Sequence, residues 1–265
     1  MLIGCGQMGS WFARRLSSQG HSLLLFDRRP EAVEGLSKEV NGEVLKGLEA
    51  VDGVDVVMLA VPVIEAKKAL RELMRAGVRY AGVVDVSALK GPLMDAARAI
   101  RAKGITVALI HPLFGPKTEN IEGTYTAHVE PGDLDREEEL IRSLLPGTTL
   151  LRMGWREHDK ASALSVSLTH YLGLALAEVM AGSSRTLPTN SMRVAVRLAE
   201  ISLQESSSFY DDLVMCSGTA MAALRRYVRV CEEVLNAAEE RRLGRLHSRL
   251  KRRWQSRPEE SAVVR

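Results

Sequence analysis

Two groups of residues in this 265-residue chain have types and spacings suited to chemistry. The first is the set Gly4, Gly6 and Gly9 in "LIGCGQMGSW", a G-x-G-x-x-G pattern between an apolar stretch and an amphipathic one. Gly4 permits a tight turn, and Gly6 lets the backbone approach a pyrophosphate. Gly9 lets strand and helix pack closely, and the helix start at Gln7 and Met8 faces the anion. Asp27 closes the next apolar run, "SLLLFD", 18 residues after Gly9. That is near the spacing of an acid that holds a ribose 2′-hydroxyl. Its charge would repel a 2′-phosphate, which points to NAD. Arg28 and Arg29 follow at once and could accept that phosphate, so NADP stays open.

The second group surrounds His111 in "ALIHPLFGP". The apolar run Ile105 to Ile110 reads as a buried strand that stops on a histidine. Pro112 restricts His111 to extended backbone, and Gly115 with Pro116 shapes a tight turn. Ser87 ends another apolar run, "AGVVDVS". In a doubly wound sheet, ligands bind outside the carboxyl ends of the strands, so Ser87 and His111 are expected at that edge, near a nicotinamide. Without that setting, a structural histidine bonded to a loop carbonyl would explain His111 equally well.

The elements that must position these groups are legible in outline. Short apolar runs, including "VDVVMLAVP" and "TTLLRM", alternate with amphipathic stretches that end on glycine. Near-continuous apolar strands between helices imply a parallel sheet covered on both faces. From about residue 155 the strand pattern stops. "EHDKASALSVSLTHYLGLALAEVMAG" reads as one long apolar helix, too well buried to be a surface element, and Asn190 as the N-cap of the next. The expected architecture is α/β: a doubly wound, Rossmann-type domain over 1–154, then a smaller all-α domain over 155–265. Helices this apolar in so short a segment predict a homodimer through the helical domain.

Bulk properties agree with a soluble protein: 46% of residues are hydrophobic and 26% charged. A net charge of +3 does not suggest nucleic acid, and the seven Lys/Arg residues between Arg241 and Arg253 read as a solvated helix rather than a polyanion-binding tail. Three scattered cysteines, Cys5, Cys216 and Cys231, imply neither a disulfide framework nor a metal site. With no leader and no run of 18 apolar residues, no membrane is expected and a cytoplasmic location is. Only Met1 to Ile3 precede Gly4, which is short for a central strand; either the strand is clipped or the natural start lies upstream.

Together, "GCGQMGSWFA", "VVDVSALKGPL", "HPLFGP" and "EHDKASALSVSLTH" resemble prephenate dehydrogenase, the TyrA family of tyrosine biosynthesis, over nearly the whole chain. The resemblance implies NAD(P)-dependent oxidative decarboxylation of prephenate to 4-hydroxyphenylpyruvate. His111 would take the ring-hydroxyl proton as hydride leaves for the nicotinamide. It also places His170, 13 residues after Glu157, in the substrate pocket together with the Gly115 turn. Val61 and Pro62 would form the turn packed under the cofactor. His158 and Asp159 are assigned to the start of the long helix, with Asp159 favourable to its dipole. No chorismate mutase segment is expected.

Two positions depart from the family pattern. The usual serine of "D-x-x-S-x-K" falls on Ala88, one place after Ser87, and a one-residue shift can turn a side chain to the other face. The arginine that clamps a substrate carboxylate in relatives aligns with Glu200. Arg197, one turn away, is then the favoured clamp, with Arg193 on the same helix, although an Arg197–Glu200 surface pair explains it as well. A lost clamp would favour arogenate. Two other readings remain: a β-hydroxyacid-type dehydrogenase using Lys160, and a dinucleotide-binding regulator without catalysis.

Overall fold

The structure, a computed structural model, describes residues 1–48, 53–76, 80–182, 187–216 and 218–256. Strands and helices alternate through β1 (Leu2–Ile3), α1 (Gln7–Ser18), β2 (Leu24–Phe26), α2 (Pro30–Val40), β3 (Glu43–Val44), β4 (Val54–Leu59) and α3 (Val63–Ala76). There follow β5 (Tyr80–Asp85), α4 (Met94–Arg101), β6 (Thr106–Pro112), β7 (Tyr125–Val129), α5 (Leu134–Leu144) and β8 (Thr149–Met153). All eight strands join one sheet in the order β3-β2-β1-β4-β5-β6-β7-β8. The order reverses between β1 and β4, the switch point at which such sheets bind ligands.

The sheet is doubly wound, as its sequence pattern predicts, and its two faces are sorted by residue parity along each strand. Val57 and Leu59 of β4 face one core with Leu70 and Leu73 of α3 and Ile100 of α4. Met58 faces the other, with Phe12 and Leu16 of α1, Leu36 of α2 and Ile141 of α5. Side chains that alternate across a strand and are apolar on both sides require helices on both sides. The parallel pattern is broken once: β7 pairs antiparallel with β6. The connection from 113 to 124 contains no helix, and an antiparallel neighbour needs no helical crossover.

Beyond Met153 the described residues form helices and the short links between them. A continuous stretch contains α6 (Trp155–Ser162), a π-helical turn (Ala163–Leu168) and α7 (Thr169–Ala181). Then come α8 (Asn190–Leu203), α9 (Ser207–Cys216), α10 (Gly218–Glu239) and α11 (Leu243–Gln255). Thr189, rather than Asn190, caps α8: its hydroxyl accepts from the Met192 N–H at 3.2 Å. The sheet thus ends next to the division expected after residue 154, whereas by compactness the chain separates into Met1–Ala220 and Met221–Arg265. In the second unit, Arg249 of α11 donates to Glu233 of α10.

The long helix corrects one expectation. Within Trp155–Ala181 an 18-residue window has a mean hydropathy of 1.3, and by length and composition the helix could cross a membrane, yet only 17% of that apolar window is buried. Its first turns do bury His158, Asp159 and Ser162 and the π-helical turn buries Ala163 and Ser167, but within α7 only Gly173 is buried. Apolar composition reports what a helix can bury, and one copy of this chain does not cover it.

Gly173 marks the close crossing of α7 and α8. A Cβ there would collide with Ser202 Oγ and lie 2.7 Å from the Leu198 carbonyl oxygen. Gly173→Ala must push the helices apart, and overpacking of this kind costs about 1–3 kcal/mol. Thermal unfolding should show a lowered Tm, partly restored by Ser202→Gly; an unchanged Tm would mean that the crossing is looser than described.

Candidate active site

The register of the sheet brings the candidate residues to one edge. Leu59 pairs with Asp85, and Asp85 with Leu109. Val61, Ser87 and His111 each lie two residues further on: Val61 and Ser87 just past the carboxyl ends of β4 and β5, and His111 next to last in β6, where it pairs with Ala127. Gly4 leaves β1 beside them, its N–H donating to the Phe26 carbonyl at 2.7 Å.

The glycine loop has the shape that its sequence requires. Gly4 has φ +97, and a Cβ would run into the Ala60 carbonyl and Val61, so only glycine fits. A Cβ on Gly9 would strike the Gly4 carbonyl. Gly6 differs: a Cβ there would meet nothing within 4 Å. Gly6 is the N-cap of α1 and makes no side-chain cap, so the first N–H groups of the helix face open space. That is a cradle for an anion. Met8 packs against the core, while Gln7 is exposed and donates to the Gln204 carbonyl after α8 at 2.8 Å.

Asp27 sits at the rim of this cradle. Its Oδ2 accepts the Cys5 N–H at 2.8 Å, and its Oδ1 accepts the Arg29 N–H at 3.0 Å. Burial opposes ionisation, but these N–H groups and the Arg29 guanidinium outweigh it and hold the carboxyl below its ordinary range. A carboxylate has lone pairs beyond these two bonds, so Asp27 can still accept from ribose hydroxyls. Arg28 reaches away to Glu65 on α3, at 3.1 Å. The turn at Val61 and Pro62 is secured from the helical side: Asp212 of α9 accepts the Val63 N–H at 2.5 Å, at the start of α3. Burial pushes the Asp212 carboxyl upward. The residues present therefore fit a dinucleotide.

His111 is the meeting point of a buried polar network. Its Nδ1 lies 3.0 Å from His158 Nε2. His158 Nδ1 lies 2.8 Å from Asp159 Oδ1. Asp159 in turn accepts the Lys90 N–H at 3.0 Å and the Gly91 N–H at 2.8 Å. Lys90 is fully buried and donates to Asp85 Oδ1 at 2.5 Å and to the Asp85 carbonyl at 3.1 Å. Burial first, then His158 and Lys90, drive the His111 imidazole well below its ordinary range, so it is neutral near pH 7. Burial also lowers Lys90, against the pull of Asp85 and Asp159.

This network relocates two residues whose roles the sequence suggested differently. His158 and Asp159 do not serve their own helix; they reach across to the β5 and β6 ends, because both lie on the buried side of α6. Ser87 Oγ lies 2.7 Å from Asp85 Oδ1 and 3.0 Å from the Leu89 carbonyl, acceptors that compete for its one hydrogen and direct it away from the imidazole. Lys160 is exposed on the opposite side of α6.

Candidates from the substrate side are less concentrated. His170 Nδ1 donates to the Val166 carbonyl at 2.8 Å, and its ring packs against Phe209, tilted by 56° with centroids 4.9 Å apart. Its Nε2 is sealed from solvent without a hydrogen bond, 3.9 Å from Glu205 Oε1. Gly115 is exposed in the turn, its carbonyl accepting from Thr118 N–H. Arg193 and Arg197 line an open depression of about 310 Å³ with Pro188, Met192, Val196 and Glu200. Arg197 lies 4.0 Å from Glu200 and is two-thirds exposed. Ala199 and Ser202 occupy the buried side of α8, so the guanidinium groups point outward. Neither forms a hydrogen bond or ion pair with His111 or His170. Lys117, six residues after His111, went unnoticed in the sequence; its Nζ bonds Gln204 Oε1 at 3.1 Å, beside Gln7. Its place directly after "HPLFGP" was the available signal.

Comparison with known proteins agrees with this geometry. A family model described as NADP oxidoreductase coenzyme F420-dependent matches residues 1–89. A probable arogenate/prephenate dehydrogenase of Methanocaldococcus jannaschii is 21% identical over 87% of this chain and 54% of its own length. Arogenate dehydrogenase 1, chloroplastic, of Arabidopsis thaliana is 24% identical over 93% of this chain and 39% of its own. The chain thus spans about half the length, or less, of these curated relatives. Among solved structures, prephenate dehydrogenase of Aquifex aeolicus, in complex with hydroxyphenyl propionate and NAD+, superposes with a TM-score of 0.72. It is 19% identical and covers 96% of both chains. Synechocystis arogenate dehydrogenase superposes at 0.64, with 18% identity and 95% coverage of both chains. The superpositions show a fold shared with these proteins, a doubly wound sheet followed by helices.

Proposed function

We propose that this chain is an NAD(P)-dependent dehydrogenase that oxidatively decarboxylates prephenate or its amino counterpart, arogenate. The observation that carries the reading is a neutral, partly buried His111 at the carboxyl edge of the sheet, near the glycine cradle. A bound nicotinamide would accept the hydride. The chain's own part is to hold the pyrophosphate over Gly6 and the start of α1, the ribose at Asp27, and the ring hydroxyl against His111. The imidazole takes the hydroxyl proton as the carbon is oxidised, and loss of carbon dioxide makes the ring aromatic. Asp27 favours NAD, and the proximity of Arg29 keeps NADP within reach.

Prephenate is the substrate to which the motifs point. Arogenate is favoured by two positions. Arg197 is paired outward with Glu200, and the Glu205 carboxylate near His170 would suit an ammonium group. Absorbance at 340 nm, followed with NAD and then NADP, against prephenate, arogenate and a simple 3-hydroxy acid, tests the reading. Turnover of either cyclohexadienol with release of carbon dioxide supports it. Turnover of the hydroxy acid alone, or cofactor binding without any turnover, overturns it.

A second copy of the chain is the proposed cover for the open helical faces, including Val179, Val194 and Val214, and for Leu187 just before α8. A sedimentation experiment at micromolar concentration should find a homodimer, and a monomer would sink this part of the reading.

A further inference from the structure

We propose that His158 and Asp159 together are a positioning pair that sets the tautomer of His111, leaving Nε2 as its basic nitrogen. The inference deepens the proposed function, since it states which atom of His111 takes the substrate proton.

The argument starts from the carboxylate, which only accepts hydrogen bonds. Asp159 Oδ1 is 2.8 Å from His158 Nδ1, so Nδ1 carries the hydrogen. In a neutral His158, Nε2 then has a lone pair and no hydrogen. That lone pair lies 3.0 Å from His111 Nδ1, a distance that requires one proton between the two nitrogens. The proton must therefore belong to His111 Nδ1. A neutral imidazole with hydrogen on Nδ1 is basic at Nε2. His111 Nε2 has no protein hydrogen bond and is not sealed from solvent, so it keeps access to the open side of the site.

Asp159 is itself held in place. Its two oxygens accept the backbone N–H groups of Lys90 and Gly91, so the carboxylate cannot rotate away without leaving both unmet. The groups facing His111 are His158 from α6 and Lys90 from the loop after β5. Asp85 and Asp159 stand behind them as counter-charges. Ser162 Oγ, 3.5 Å from His158 Nε2, is a weaker competitor for the same lone pair. The competing arrangement is a doubly protonated His158 that donates from Nε2 to His111 Nδ1. It would move the His111 hydrogen to Nε2 and leave no base facing the substrate.

In the step itself, a proton leaves the substrate oxygen for His111 Nε2, and the electron pair of that O–H bond stays on oxygen. His111 becomes an imidazolium whose Nδ1–H still points at His158. The charge is then shared along a line that ends on the Asp159 carboxylate, which favours proton transfer without any rearrangement.

The first test needs neither substrate nor cofactor. Nitrogen-15 shifts and long-range proton–nitrogen correlations of the full chain at pH 7.5, with His111 assigned through the signals lost in His111→Asn, should show Nδ1 protonated and Nε2 bare. The reverse pattern overturns the proposal whatever the enzyme's substrate. The second test is kinetic. His158→Met removes the acceptor and should lower kcat by about 10–100-fold, the usual scale for losing an orienting partner, while KM and cofactor Kd stay within about two-fold. His158→Gln, whose amide oxygen can accept from Nδ1–H, should regain most of that loss. Wild-type kcat in a folded His158→Met would overturn the assignment. If that variant does not fold, the nitrogen shifts of the unaltered protein decide alone.

Discussion

Replacing His111 with asparagine should lower kcat by about 10²–10⁴-fold, the usual contribution of a placed acid–base group. Asparagine keeps a polar group next to His158 but has no nitrogen that can take a proton. The cofactor cradle is built from Gly6, the start of α1 and Asp27 after β2, none of them on β6, so Kd for NAD measured by fluorescence titration should stay within about two-fold. An unchanged kcat would remove the central residue of the mechanism. The same variant carries a stability prediction. The His111 pKa is depressed in the folded chain, mainly by burial, against an unfolded value of about 6.5. Above that value the imidazole is neutral in both states. As pH falls below it, the unfolded chain binds a proton that the folded chain refuses, so stability is lost progressively down to the folded pKa. Urea unfolding of the wild type should weaken from pH 6.5 downward, and His111→Asn should flatten that dependence. The acid limb of kcat/KM should lie below pH 6.5 for the same reason.

Lys90→Met is expected to be the most damaging single change to the fold around the site. Lys90 and Asp85 have no exposed side-chain surface, and their ion pair is 2.5 Å long. Removing the ammonium leaves a buried carboxylate whose Oδ2 already has no hydrogen bond. Breaking one side of such a pair costs about 3–5 kcal/mol, because the remaining charge keeps its desolvation penalty and loses its compensation. Urea unfolding would read this as a lowered midpoint with an unchanged m-value. The double variant Asp85→Leu/Lys90→Met should recover part of the loss, since no charge is then stranded. Recovery stays incomplete because Asp85 also accepts from the Ser87 N–H and hydroxyl. Equal stability of Lys90→Met and wild type would show that the pair contributes little.

The local chemistry of this chain was legible in its sequence. The glycines announced the turn at Gly4 and the crowding at Gly9, because no other residue tolerates φ +97 or a backbone carbonyl at the Cβ position. Apolar runs of strand length announced β4, β5 and β6, since both of their faces are covered and period-two alternation vanishes. The stop at His111 was visible because proline and glycine constrain the backbone locally. β7 was harder: "YTAHV" mixes polar and apolar residues, since Thr126 and His128 are buried with polar partners, Thr148 and Glu137, that lie far along the chain.

What only the tertiary structure decided is which side chains meet. His158 and Asp159 look like a helix start in one dimension, and they become partners of His111 because α6 lays that face against the ends of β5 and β6. Ser87 stands at the expected edge, yet its hydroxyl turns to Asp85. Arg197 stands on the expected helix, yet Ala199 and Ser202 claim the inward face and leave it outside. A sequence specifies backbone conformation and burial preference through neighbours a few residues apart. The direction of a side chain at a site is set by packing between segments that are tens of residues apart, and that information exists only once the chain is folded.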